Sequence, residues 1–371
     1  MFALLFVAVA LSAPAKDFLV FFGTYTGTLS KGIYVSKLDS DTGSLSAPDL
    51  AAETPSPCFL ATSSHGNYLY AANNNLILNG QKTSGVSAFT VDKTTGHLTL
   101  LNQKSSGGPG VCHVSIDDTD HVLLAANYSD GSVKSFQLNA DGSLGADGSY
   151  IRHHGSSVNT NRQSAAHAHF IVPDSSHRFA LACDLGMDRV IIYKIDPATG
   201  TLSENASAPV PPGSGARHLV FSPDGKFVHV INEMGCTITT FSWNSKKGEL
   251  KIVETISALP PGVALRPDFT AAEILACGNF IYATIRGHDS ISVFSANPHT
   301  GHLAFVQNIS SGGKVPRGLG IDPTGRWLFA GNQNSDNAVE FEIDSNSGKI
   351  SPTGRELKIG SPVDVKFIEI R

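Results

Sequence analysis

Apolar and polar residues alternate in short runs along nearly the whole chain, and the runs are broken by turns that repeat one signature. It reads GIYVSKLDSDTGSL (Gly32–Leu45), GVSAFTVDKTTGHL (Gly85–Leu98), GSVKSFQLNADGSL (Gly131–Leu144) and RVIIYKIDPATGTL (Arg189–Leu202). It continues as TITTFSWNSKKGEL (Thr237–Leu250), SISVFSANPHTGHL (Ser290–Leu303) and AVEFEIDSNSGKI (Ala338–Ile350). A period of two marks half-buried strands, and an Asp/Asn-rich turn with Gly where φ must be positive joins them as a hairpin. The turn glycines from Gly43 to Gly348 recur about every 51 residues, a spacing that points to one repeating unit.

A second hairpin lies between these, clearest in ARHLVFSPDGKFVHVINE (Ala216–Glu233) and PRGLGIDPTGRWLFAGNQ (Pro316–Gln333). Each repeat therefore predicts four antiparallel strands, A to D, the blade of a β-propeller. Seven C–D hairpins are present but only six complete A–B hairpins. The missing A strand is found at Pro362–Ile370 and the missing B strand at Asp17–Thr26. The fold expected over residues 17–371 is an all-β, seven-bladed β-propeller with its last blade closed by the N- and C-terminal strands. That closure leaves no open sheet edge.

Residues 1–15 are an apolar run ending in Ala13-Pro14-Ala15, as in a signal peptide with its cleavage site, although no basic residue precedes Lys16. The run is too short for a stable membrane span. The chain is expected to be secreted or periplasmic if this signal is functional, and otherwise cytoplasmic.

Composition narrows the partners. The 371 residues are 16% charged with a net charge of −5, which gives no reason to expect nucleic acid or an anionic membrane. Anion binding would need a local cluster of Arg or His working against the overall sign. The five cysteines (Cys58, Cys112, Cys183, Cys236, Cys277) fall one per repeat with no metal spacing and read as free core thiols.

Strand A lines the central channel of such a blade, and the D–A and B–C loops share one rim. Aligning the repeats at strand A gives a column of Phe59, His113, His169, His218, Glu273, Gly318 and Asp364, preceded by Arg217 and Arg317 in two blades. Ionisable groups at one register of a channel mouth cost desolvation and suggest a site. The ends of strand B add Asn127–Tyr128, Asp184, Glu233 and Arg286, with His288 two residues on. The insertion Arg152–His169 adds Arg162, Gln163 and His167. Asn73, Asn127 and Asn332 are expected to be turn formers, His153 and His154 exposed loop residues, and Arg189 a partner of Asp188 or of a neighbouring blade. His167 and His169 could face one side of a strand, but no third ligand is evident, so no metal or other cofactor is expected.

In order along the chain stand GTYTG, CHVSID, ANYSDGSV, N-x-x-RQ-x-x-x-HAH, CDLGMDRV, ARHLVFSPDGKF, INEMG, IRGHDSI and GNQNSD. With these motifs the chain resembles the lactonase family of seven-bladed propellers, which includes propeller-type 6-phosphogluconolactonases and carboxymuconate cyclases. The resemblance implies that His169 (or His167), Glu233, Arg217 and Arg286 carry catalysis. His167, His113, His218, Arg162, Gln163, Glu273, His288 and Arg317 are then expected to bind substrate. The expected activity is metal-independent hydrolysis of a small anionic sugar lactone, first of all 6-phosphogluconolactone, by a monomer or weak homo-oligomer. His169 or Glu233 would be the base. Lactone formation from a muconate, or an exported binding propeller without catalysis, are the alternatives.

Overall fold

The computed structural model describes residues 17–117, 119 and 121–370. The expected signal segment, residues 1–15, lies outside them. The described strands form seven antiparallel sheets, and no helix occurs among the described residues. Six sheets have four strands. In the seventh, the outer position is split between Ser44–Leu45 and Asp49–Glu53, on either side of Pro48, whose ring cannot donate a ladder hydrogen bond.

The hairpin turns form as their residues dictate. In the outer hairpins the side-chain oxygen of Asp39, Asp92, Asp196, Asn244, Asn297 or Asp344 accepts the backbone N–H groups two and three residues on. The glycine four residues on then donates to the same residue's carbonyl, at φ between +67° and +83°. In the inner hairpins Asp117, Asp174 and Asp322 accept the amide that opens the return strand.

Closure follows the predicted scheme. Asp17–Thr24 pairs with Gly32–Asp39 on one side and with the C-terminal strand Pro362–Glu369 on the other. The alternation of the closing strand serves both neighbouring blades. Phe18, Val20 and Phe22 pack with Trp327, Phe329 and Leu357. Leu19 and Phe21, on the opposite face, pack with Leu60, Leu69 and Phe89. All five are fully buried.

The inner strands are not regular. Near the start of each, one residue is skipped in the pairing with strand B: Cys58, Cys112, His169, Arg217, Arg317 and Val363. In the strand Thr270–Cys277 two residues, Ala272 and Glu273, are skipped. Such bulges bend a strand and re-aim its side chains. They also correct the sequence alignment. His169 belongs with Arg217 and Arg317 at the bulge, and Phe170 takes the position among Phe59, His113 and His218 one residue deeper. The HAHF stretch holds two histidines close together, and the bulge that decides between registers leaves no mark in local sequence.

Candidate active site

The D–A and B–C loops share one rim, as expected, and enclose a cavity of about 410 Å³ at the channel mouth. Its wall includes Tyr25, Tyr128, Arg162, His169, Glu233, Arg286 and Arg317. The bulges supply the floor: they bring Cys112, His169 and Arg317 to the cavity.

Glu233 directly follows the strand Phe227–Asn232 and sits at the centre of the charged groups. Oε1 accepts Arg162 Nη2 at 2.6 Å, and Oε2 lies 3.0 Å from both Arg217 Nε and Arg286 Nη2. Burial alone would raise its carboxyl, but Arg286, Arg217, His169 and Arg162 outweigh it and hold the group far below the usual carboxylate range. Glu233 is therefore a fixed anion. Arg217, 2% exposed, also donates from Nη1 to Ala272 O at 2.5 Å. Burial and the neighbouring Arg317 and Arg286 lower it to about 10, still a cation at neutral pH. Arg286 donates to Ala271 O at 2.9 Å, while its buried Nε has no partner among the described residues.

Arg317 differs from the other three guanidiniums. It stacks over the Tyr25 ring at 5.5 Å, and no carboxylate among the described residues pairs with it. Three guanidiniums thus meet one carboxylate and a fourth, Arg317, stands on the cavity wall without one, which makes the site cationic in a protein of net charge −5. A bound anion or a developing oxyanion would find its free cation at Arg317.

His169 is 4% exposed and lines the cavity. Its Nδ1 is 3.2 Å from His218 Nε2, and His218 Nδ1 is 2.8 Å from Glu273 Oε1. Burial first, then Arg217 and His218, push the His169 imidazole well below its ordinary value, so the ring is neutral.

The other predicted binding residues divide by depth. His113, His218 and Glu273 lie in the channel beneath the cavity rather than on its wall. His113 is wedged between Phe59 and Phe170 at ring distances of 4.2 and 4.0 Å and accepts the Ile171 N–H. His167 lies outside the channel, stacked on Tyr128 with Nδ1 bonded to Tyr128 O at 2.8 Å. It therefore diverges from His169, and among the described residues no three His, Cys, Asp or Glu groups converge as metal ligands would. Gln163 is fully buried and ties the insertion to itself and to Leu185 O, which fixes the loop that carries Arg162. His288 packs edge-on against Phe269 and bonds Ser290 Oγ, away from the cavity wall.

Two loop expectations change. His153 is buried: Nδ1 bonds Asp184 Oδ2 at 2.6 Å and Nε2 bonds Tyr193 Oη at 2.7 Å, which anchors the insertion to the blade. Asp188 does not pair with Arg189, which donates to Ser207 Oγ. At φ +53°, Asp188 instead accepts the Gly213 and Gly215 amides and Ser157 Oγ. Asn73, Asn127 and Asn332 are buried and hold loop carbonyls, as turn formers should. The five cysteines are free thiols. Cys112 reaches the cavity, but burial keeps its thiol protonated.

Tyr128 stands on the rim where the sequence puts it, although no binding role is expected of it there, and Tyr25 joins the wall without being among the expected residues. The signal was present, since both follow the end of a second strand, where the other blades carry Glu233 and Arg286.

The model of the seven-bladed β-propeller lactonases matches residues 19–367. This chain belongs to that family. The lactonase is 36% identical over 346 residues to a Bacillus subtilis protein named 6-phosphogluconolactonase, covering 93% of this chain and 97% of that one. A Formosa agariphila protein of the same name is 29% identical over 349 residues, 92% and 96% of the two chains. The solved structure of a Pseudomonas aeruginosa periplasmic gluconolactonase superposes with a TM-score of 0.88 at 30% identity, covering 96% of this chain and all of that one. As a lactonase, the chain is a hydrolase acting on a cyclic ester.

Proposed function

We propose that the lactonase hydrolyses 6-phosphogluconolactone, with His169 as general base and Arg317 as the free cation for the substrate. One observation carries the reading: a neutral imidazole whose Nε2 has no partner among the described residues stands on the same cavity wall as a guanidinium that no described carboxylate pairs with. His169 Nε2 takes a proton from water as its oxygen attacks the lactone carbonyl. Arg317 stabilises the oxyanion or holds the phosphate. The ring C–O bond then breaks, and the proton on Nε2 passes to the leaving ring oxygen, giving the hydroxy acid. Glu233 serves this scheme by ordering Arg162, Arg217 and Arg286; a carboxylate held so far below its ordinary range is a poor base.

The name of the Bacillus relative supports the phosphorylated substrate. The Pseudomonas structure supports a second reading, an exported enzyme acting on unphosphorylated gluconolactone. Acid release from both lactones by the purified full chain, followed at constant pH, separates them. A kcat/KM at least ten-fold higher for the phosphorylated lactone is expected. Equal values would favour the second reading, and inertness toward both would overturn the activity.

A further inference from the structure

Beneath the cavity a chain of three buried groups runs away from His169. His169 Nδ1, His218 Nε2, His218 Nδ1 and Glu273 Oε1 follow one another at 3.2 and 2.8 Å across the gap between rings and carboxyl. The three residues come from the inner strands of three successive blades, so the packing of neighbouring blades brings them into line. His218 cannot turn out of this line, because Phe170 and Phe59 pack its ring at 4.8 and 5.7 Å. Ile274 N–H also donates to Glu273 Oε1 at 3.1 Å, which fits that oxygen to accept.

We infer that Glu273 and His218 are positioning residues that hold His169 as the tautomer protonated at Nδ1, leaving the Nε2 lone pair for the cavity. The inference rests on the reading of His169 as base. The hydrogen-bond arithmetic is strict. A carboxylate at Glu273 can only accept, so His218 Nδ1 carries the proton and donates to it. His218 Nε2 is then an acceptor, and His169 Nδ1 must donate to it. One imidazole between carboxylate and base would orient the base in the same way; here a second imidazole carries the constraint farther into the channel.

The device reverses if Glu273 is protonated. Its O–H would donate to His218 Nδ1, His218 Nε2–H would donate to His169 Nδ1, and His169 would present an N–H in place of a lone pair. Burial pushes the Glu273 carboxyl upward against the pull of Arg217, Lys366 and Arg317. His113, Glu233 and Asp364 are the other ionisable groups facing the relay, and Asp364 is itself paired with Lys366 at 2.8 Å. Activity is therefore expected to fall on the acid side as Glu273 takes its proton.

Long-range ¹⁵N–¹H spectra of the full chain labelled at histidine test this, with His169→Gln and His218→Phe supplying the assignments. At neutral pH the His169 Nε2 is expected to resonate as an unprotonated, pyridine-type nitrogen and Nδ1 as a protonated one; the opposite pattern overturns the inference. His218→Phe keeps the packing but removes the acceptor. It is expected to lower kcat on gluconolactones by about 100-fold with KM changed less than about two-fold. His218→Gln, whose amide oxygen can accept from His169, is expected to recover part of that loss. An unchanged kcat in His218→Phe, or equal losses in the two variants, would count against the relay. If His218→Phe does not fold, the wild-type tautomer decides alone. If the wild type opens no lactone, the activity falls while the tautomer still tests the relay.

Discussion

Arg217 Nε donates to Glu233 Oε2 at 3.0 Å, and both side chains are almost completely buried. The pair persists because each charge has more than one partner: Glu233 meets three guanidiniums, and Arg217 also reaches Ala272 O. Removing the carboxylate leaves three cations in a confined space. Glu233→Gln is expected to lower unfolding free energy by about 3–5 kcal/mol, as for a broken buried pair, and to abolish most lactonase activity. Denaturant unfolding alongside the lactone assay checks both, and a variant as stable as wild type would contradict this account.

Arg317 should behave in the opposite way toward stability. No carboxylate depends on it, so Arg317→Gln is expected to unfold at nearly the wild-type midpoint. Its loss of a charge-assisted contact to substrate should cost about 2 kcal/mol in kcat/KM, roughly thirty-fold. A thermal midpoint lowered by many degrees would show that the guanidinium is structural after all.

Stability should fall on mild acidification. His229 is buried against Thr240 Oγ1, and burial lowers it from 6.5 to about 4. A histidine with a lowered folded value stabilises the fold while neutral. That contribution is complete above the unfolded value and is lost as pH falls from 6.5 to about 4, on the order of 3 kcal/mol for this residue. His113, His169 and His218, also lowered by burial, act with the same sign. Thermal midpoints at steps between pH 7 and 5 should decline steadily; a flat profile would sink the prediction.

Asp188 joins three loops through one carboxylate in a left-handed backbone conformation. Asp188→Ala loses three hydrogen bonds and places an alanine at φ +53°, for an expected loss of about 2 kcal/mol or more. Because the insertion that carries Arg162 is one of those loops, kcat/KM should drop as well. Asp188→Asn, which tolerates that backbone, is expected to lose less on both counts. Equal effects from the two substitutions would argue against the clamp.

Phe21 lies on the closing strand and packs toward the following blade. Phe21→Ala is expected to cost about 3–5 kcal/mol, the range for a large side chain removed from a packed core. Urea unfolding followed by fluorescence measures it, and a cost under 1 kcal/mol would mean that the seam is not a cooperative part of the ring.

The parts of this protein that could be read in advance are those decided within a few residues. The Asx turn at Asp92, the glycine at Gly96 and the alternation of Asp17–Thr24 act locally, so the repeat and the stitched last blade were visible in the chain. Glu233, Arg286 and Arg317 could be gathered on one rim for the same reason, since a repeat places equivalent residues at equivalent heights, and Arg162 could be added because its insertion joins two strands at that rim.

What local sequence could not decide is register and depth. The bulges at His169, Arg217 and Arg317 depend on pairing between whole strands, and they moved His169 one position from where the repeat alone had put it. His153 looked like a loop residue until Asp184 and Tyr193 enclosed it, and His113, His218 and Glu273 looked like ligand contacts until the ring closed over them. The repeating pattern of turns and alternation by itself determined a seven-bladed ring with a polar mouth. Only the closed ring decided which histidine faces the cavity and which residues stand behind it, because those positions come from strands about fifty residues apart that meet only at the axis.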